Sequence, residues 1–76
     1  MTPKQCRAAR ALLKWSQTEL ADKANVGLST VRDFEKERHK PIENNLRAMI
    51  AALDSAGIQF LETGDTAAGQ GVALKL

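Results

Sequence analysis

Cysteine and histidine occur once each, as Cys6 and His39. One cysteine excludes an internal disulfide and leaves a reduced protein as the expectation. One Cys and one His cannot fill the four positions of a structural zinc site, so no metal or other cofactor is expected. No apolar run approaches the roughly 18 residues that a membrane span needs. The opening Met1-Thr2-Pro3-Lys4-Gln5-Cys6-Arg7 lacks the apolar stretch of a secretory signal, and a soluble, cytoplasmic chain is expected. Catalysis has no foothold: there is no glycine-rich phosphate loop, no nucleophile beside a base and no separated carboxylate pair. The expectation is a protein that is not an enzyme.

The chain has 76 residues, one small domain's worth. A chain of that size buries only about 60% of the surface its unfolded form exposes. With disulfides and metals excluded, self-association is the stabilising route left open. Charge is unevenly placed. Residues 1–40 carry nine Lys/Arg against five Asp/Glu, and residues 41–76 carry two against four. A basic first half and an acidic second half point to a polyanionic partner for the first half alone.

Cys6, Ala9 and Leu13 recur at helical spacing behind Pro3, which predicts a first helix over about residues 3–14. Ser16-Gln17-Thr18-Glu19 is a capping box, and Trp15 and Leu20 flank it as a hydrophobic staple. A second helix therefore starts at Gln17 and runs to about Ala24. Asn25 ends it by tolerating the left-handed conformation, and Gly27 caps a third helix over 28–36 whose inward face carries Val31 and Phe34. A polar stretch ending at Pro41 follows. Ile42, Leu46, Met49, Ile50 and Leu53 then trace one face of a fourth helix, 43–56, closed by Gly57. Beyond it, Ile58–Glu62 and Val72–Leu76 read as a hairpin around a loose Thr63–Gly71 loop. The sequence thus divides into a helical unit, 1–57, and a β-type extension, 58–76.

The spacing of Gln17-Thr18-Glu19-Leu20-Ala21, Val26, Ser29-Thr30-Val31 and Phe34-Glu35 resembles the helix-turn-helix of the Xre family, which includes phage repressors and Cro proteins. The likeness reaches upstream to Arg10 and downstream to Lys40-Pro41, covering roughly residues 4–56. It implies an all-α, repressor-like domain of four to five helices, here with a short C-terminal hairpin. The partner it implies is double-stranded DNA, with the third helix in the major groove. By that resemblance Leu28, Ser29, Arg32 and Asp33 face base edges, with Leu28 suited to a thymine methyl and Asp33 to a cytosine amine. Gln17, Thr30, Lys36, Arg38 and Lys40 hold phosphates. Ala21 has to be small where two helices cross, and Leu20, Ala24, Val26, Val31 and Phe34 form the wedge between them. Arg10 and Glu35 pair, as their counterparts do in phage repressors. Asn25 and Glu37 stand where the family often has glycine; the first is a tolerable exchange, and the second predicts a differently shaped end to the third helix. Trp15 reads as core, Cys6 as a buried small hydrophobe and His39 as solvated surface.

Two functions fit these features. One is a dimeric operator-binding regulator, with exposed Ile58, Phe60, Val72 and Leu74 making the homodimer contact. The other is an antitoxin-like module whose C-terminal segment grips a partner protein and stays unstructured without it.

Overall fold

The structure, a computed structural model, describes residues 1–61 and 71–75. Residues 62–70 and Leu76, and with them the expected strand end at Glu62 and most of the expected loop, lie outside the described residues. Four helices, α1 (Pro3–Leu13), α2 (Gln17–Ala24), α3 (Leu28–Glu35) and α4 (Glu43–Ser55), precede two strands, β1 (Ile58–Leu61) and β2 (Gly71–Leu74).

Each start has a local cause. At α2 the Ser16 hydroxyl accepts from the Glu19 amide at 3.0 Å while the Glu19 carboxylate accepts from the Ser16 amide at 3.0 Å. The same reciprocal box opens α1, where Thr2 Oγ1 accepts from the Gln5 amide at 3.1 Å and Gln5 Oε1 from the Thr2 amide at 2.8 Å. Pro3 sits in that first turn, where its missing N–H costs nothing.

The ends of α1, α2 and α3 share one device. Lys14, Asn25 and Glu37 all take left-handed φ values, 59°, 55° and 60°. In each case the following amide reaches back over the turn: Trp15 N to Arg10 O at 2.9 Å, Val26 N to Ala21 O at 3.0 Å, Arg38 N to Asp33 O at 2.9 Å. This is the Schellman closure that glycine usually serves. Glu37 therefore does not reshape the end of α3, contrary to the sequence expectation. It takes the glycine conformation and bears its steric cost, about 1–2 kcal/mol. Gly57, at φ 104°, ends the turn after α4 as expected.

Cys6 and Ala9 of α1, Leu20, Ala21 and Ala24 of α2, Val31 and Phe34 of α3, and Met49 and Leu53 of α4 meet in one core with Ile58 of β1. The fourth helix contributes less than its periodicity suggests. Ile42 is 68% exposed because it occupies the N-cap position, outside the helical turn that would aim it inward. Leu46 and Ile50 are half-buried.

The strands pair antiparallel with Ile58 opposite Leu74 and Phe60 opposite Val72. The hairpin lies on the helices, β2 against α1 and β1 against α4. Ile58 is 0% exposed, and Phe60 and Val72 pack on the core. The expectation of four exposed apolar strand residues is thus corrected: only Leu74, at 43%, is open. The cause is the buried amide of Gln5, whose Nε2 donates to Leu61 O at 3.2 Å and Gly71 O at 3.0 Å. It clamps the last strand pair to α1.

Candidate nucleic-acid interface

The eight residues of α3 grade from a buried face to an open one. Val31, Phe34 and Glu35 point inward, 0%, 6% and 3% exposed. Ser29 and Arg32 are exposed, as is Lys36 just past the helix, and Thr30 and Asp33 are half-buried at the margins. Ala21 is small where α2 meets α3, so the two helices pack closely. Val26, half-buried in the turn, packs on the same core, and exposed Asn25 supplies the left-handed step between the helices. Leu28 packs partly against the core too, so less of its side chain is open than its place on the helix suggests.

A buried carboxylate fixes the pose of α3. Glu35 Oε2 accepts from Arg10 Nε at 2.7 Å and from the Cys6 thiol at 3.1 Å. Its Oε1 accepts from Arg10 at 2.7 Å and from Gln17 Nε2 at 3.0 Å. The Arg7 guanidinium donates to the Glu35 carbonyl oxygen. Arg10 also donates to Trp15 O at 3.0 Å, tying in the turn before α2. Burial pushes the Glu35 carboxyl up, but donation from Arg10, then Gln17 and Cys6, outweighs it and holds the group below the usual carboxylate range. The hydrogen bonds to Glu35 hold Arg10 still more firmly in its charged form. Burial, followed by the bond to Glu35, keeps Cys6 a thiol, its ionisation pushed far up. One side chain thus joins α1, α2 and α3. The Arg10–Glu35 pair was legible in the sequence. The Cys6 donor was not, since an apolar helix face gives no sign that a thiol meets a carboxylate.

Gln17 has therefore one amide hydrogen engaged with Glu35 and stands half-buried at the start of α2. No side chain caps α3, and the Thr30 amide donates instead to Gly27 O at 3.1 Å. Past its end the chain carries Lys36, Arg38 and Lys40, all exposed, with His39 among them. A shallow notch separates this connector from α3. Ser29, Thr30 and Asp33 line one wall, and Lys40 and Asn45 line the other. Asn45, in the first turn of α4, had no motif to single it out.

A helix clamped across its neighbour, its polar face open and cations strung beyond its end, defines a helix-turn-helix unit. The helix-turn-helix family model matches residues 7–60, and the chain belongs to the Xre/Cro-like helix-turn-helix family of DNA-binding regulators. No curated protein matches the chain. No helix among the described residues is long and apolar enough to cross a membrane.

Proposed function

We propose that the chain is a repressor-like regulator that binds a specific duplex sequence as a homodimer, with α3 in the major groove. The observation that carries this is the division of α3, whose inward face is fully committed while Ser29 and Arg32 are open. Ser29 and Arg32 read base edges, Arg32 by reaching a guanine. Asp33 accepts from a cytosine amine, and the exposed part of Leu28 meets a thymine methyl. Lys36, Arg38 and Lys40 hold phosphates beyond the groove, Thr30 holds one at its margin, and the remaining amide hydrogen of Gln17 holds another beside the first turn of α2.

Selection of bound duplexes from a random pool, followed by titration in salt, tests the reading. With about six to eight phosphates neutralised per dimer, log affinity falls against log salt with a slope of about −5 to −7. Arg38→Ala and Lys40→Ala weaken all sequences alike and flatten the slope, whereas Ser29→Ala and Arg32→Ala change which sequence is preferred. Uniform behaviour of all four variants would refute the division into clamps and readers. The antitoxin-like alternative called for a C-terminal segment without structure of its own. The packing of Ile58, Phe60 and Val72 on the domain's own core favours the first reading.

A further inference from the structure

The connector between α3 and α4 carries Lys36, Arg38, His39 and Lys40, and these basic residues are not equivalent. Of the four, only His39 and Lys40 line the notch beside the polar face of α3, opposite Ser29, Thr30 and Asp33. Two residues assigned to phosphates, Thr30 and Lys40, thus share this notch, and His39 stands in it with them. The sequence reads His39 as solvated surface. It is exposed, as expected, but it also stands between two hollows, since with Lys40 it lines a second one beside Phe34, Glu37 and Arg38.

Charge gives that position a consequence. The notch holds one acid, Asp33, and one permanent cation, Lys40, so with a neutral imidazole its charges cancel. A protonated imidazole makes it net positive. In the second hollow Glu37 and Arg38 cancel in the same way. From α4 the notch receives uncharged Asn45, while Glu43 is paired with Arg47 at 3.2 Å. No ion pair among the described residues engages Asp33, His39 or Lys40, so an imidazolium there is available to an outside anion. Histidine is the side-chain type whose charge ordinarily changes between pH 5 and 8, and His39 is the sole histidine.

We propose that His39 is a proton-dependent phosphate contact. Charged, it joins Thr30 and Lys40 in holding the DNA backbone at this notch; neutral, it leaves the notch without net attraction for that phosphate. This rests on the reading of α3 as the groove-binding helix and adds a regulation to it. The sign follows from linkage. A neighbouring phosphate favours the imidazolium, so the complex holds the proton more tightly than the free chain does. The added affinity is therefore present in full at low pH and is lost as pH rises through the titration of the complex. An exposed charge pair is worth a few-fold, so duplex affinity falls about tenfold from about pH 5.5 to about pH 8.5 for a dimer with two such contacts.

Binding of the full chain to a duplex recovered by selection, measured at those two pH values over a range of salt, tests the proposal. The parent binds about tenfold more tightly at the lower pH. Its salt slope is also steeper there by about 0.9 per subunit, the mark of one more phosphate neutralised. His39→Gln binds with one affinity at both pH values, close to that of the parent at the higher pH. His39→Lys also binds with one affinity, no weaker than that of the parent at the lower pH. Both variants melt with the parent, because the side chain is exposed and outside the core. Cys6, kept a thiol by burial, does not compete as the titrating group. The imidazole proton resonances belong to one residue and give a second readout, a titration midpoint that rises when duplex is added. If His39→Gln keeps the pH dependence of the parent, another group titrates, the α-amino group at Met1 foremost, and the proposal is overturned. A pH-independent parent or an unmoved imidazole midpoint overturns it as well. In each of those cases the groove-binding reading of α3 stands. A parent that binds no duplex at either pH overturns that reading and the proposal together.

Discussion

Replacing Arg10 with methionine removes the guanidinium from Glu35 and keeps most of the side chain's length. The variant loses both 2.7 Å bonds to the carboxylate and the 3.0 Å bond to Trp15 O. Glu35 keeps Gln17 and Cys6, which are neutral donors. Removing one partner of a buried pair costs about 3–5 kcal/mol, and the partial exposure of Arg10 places this case near the lower figure, about 3 kcal/mol at neutral pH. A loss of that size is a large part of a small domain's stability.

The pH dependence then reverses sign. In the parent, Glu35 titrates below its unfolded value of about 4.3, so its contribution is present above that value and is lost as pH falls through the folded pKa. Without Arg10, burial, the largest single influence on the carboxyl, prevails and the folded pKa rises above the unfolded one. A raised carboxyl favours folding at low pH and loses that contribution as pH climbs through the folded value. The deficit of Arg10→Met therefore shrinks steadily between pH 7 and about pH 4. Urea unfolding followed by the fluorescence of Trp15, the sole tryptophan, reads this directly. A deficit below about 1 kcal/mol, or one unchanged across that pH range, refutes the claim that Arg10 sustains a buried charge.

Three further outcomes follow from local geometry. Glu37→Gly relieves a left-handed residue and stabilises the domain by up to about 1 kcal/mol after the entropy of glycine is counted, raising Tm by several degrees. Lys14→Gly behaves similarly, whereas Asn25→Gly gains less because asparagine tolerates that conformation; equal gains at all three positions in thermal melts contradict this ranking. Gln5→Leu costs about 2–3 kcal/mol and speeds amide exchange in β1 and β2 before α2, because the clamp on the hairpin is gone. Thr2→Ala removes only the α1 cap, costs about 1 kcal/mol and leaves strand protection in place.

The sequence was most informative where a side chain declares its own backbone role. Ser16 and Glu19 marked the start of α2, Asn25 its end, and Gly57 the turn after α4. It was silent where a residue takes a shape its type does not favour, as Lys14 does, and at Glu37 the only sign was the glycine of the resembled family. The Thr2–Gln5 box was present in the letters, but Gln5 also reaches the strands some 56 residues onward, and no local pattern reports such a contact. Periodicity misplaced Ile42, since a wheel drawn through the fourth helix does not know that the helix begins one residue later. For the interface, the identity of the readers came from resemblance, whereas the burial that separates readers from frame needed the fold.

That separation has a consequence for how the domain can change its target. Val31, Phe34 and Glu35 set the pose of α3, and none of them is available to DNA. Ser29 and Arg32 are open to solvent and contribute nothing to the core or to the buried network around Glu35. Exchanging these two for other polar residues of good helix propensity therefore leaves stability within about 0.5 kcal/mol while redirecting base preference. Thr30 and Asp33, half-buried at the margin, sit between the two sets, so changes there alter preference and stability together. A library randomised at 29 and 32 should yield mostly folded proteins with altered selected sequences, and one randomised at 31 and 34 mostly unfolded chains. If both libraries fold equally well, the helix is not held by its inward face, and the assignment of its outward face to the groove loses its physical basis.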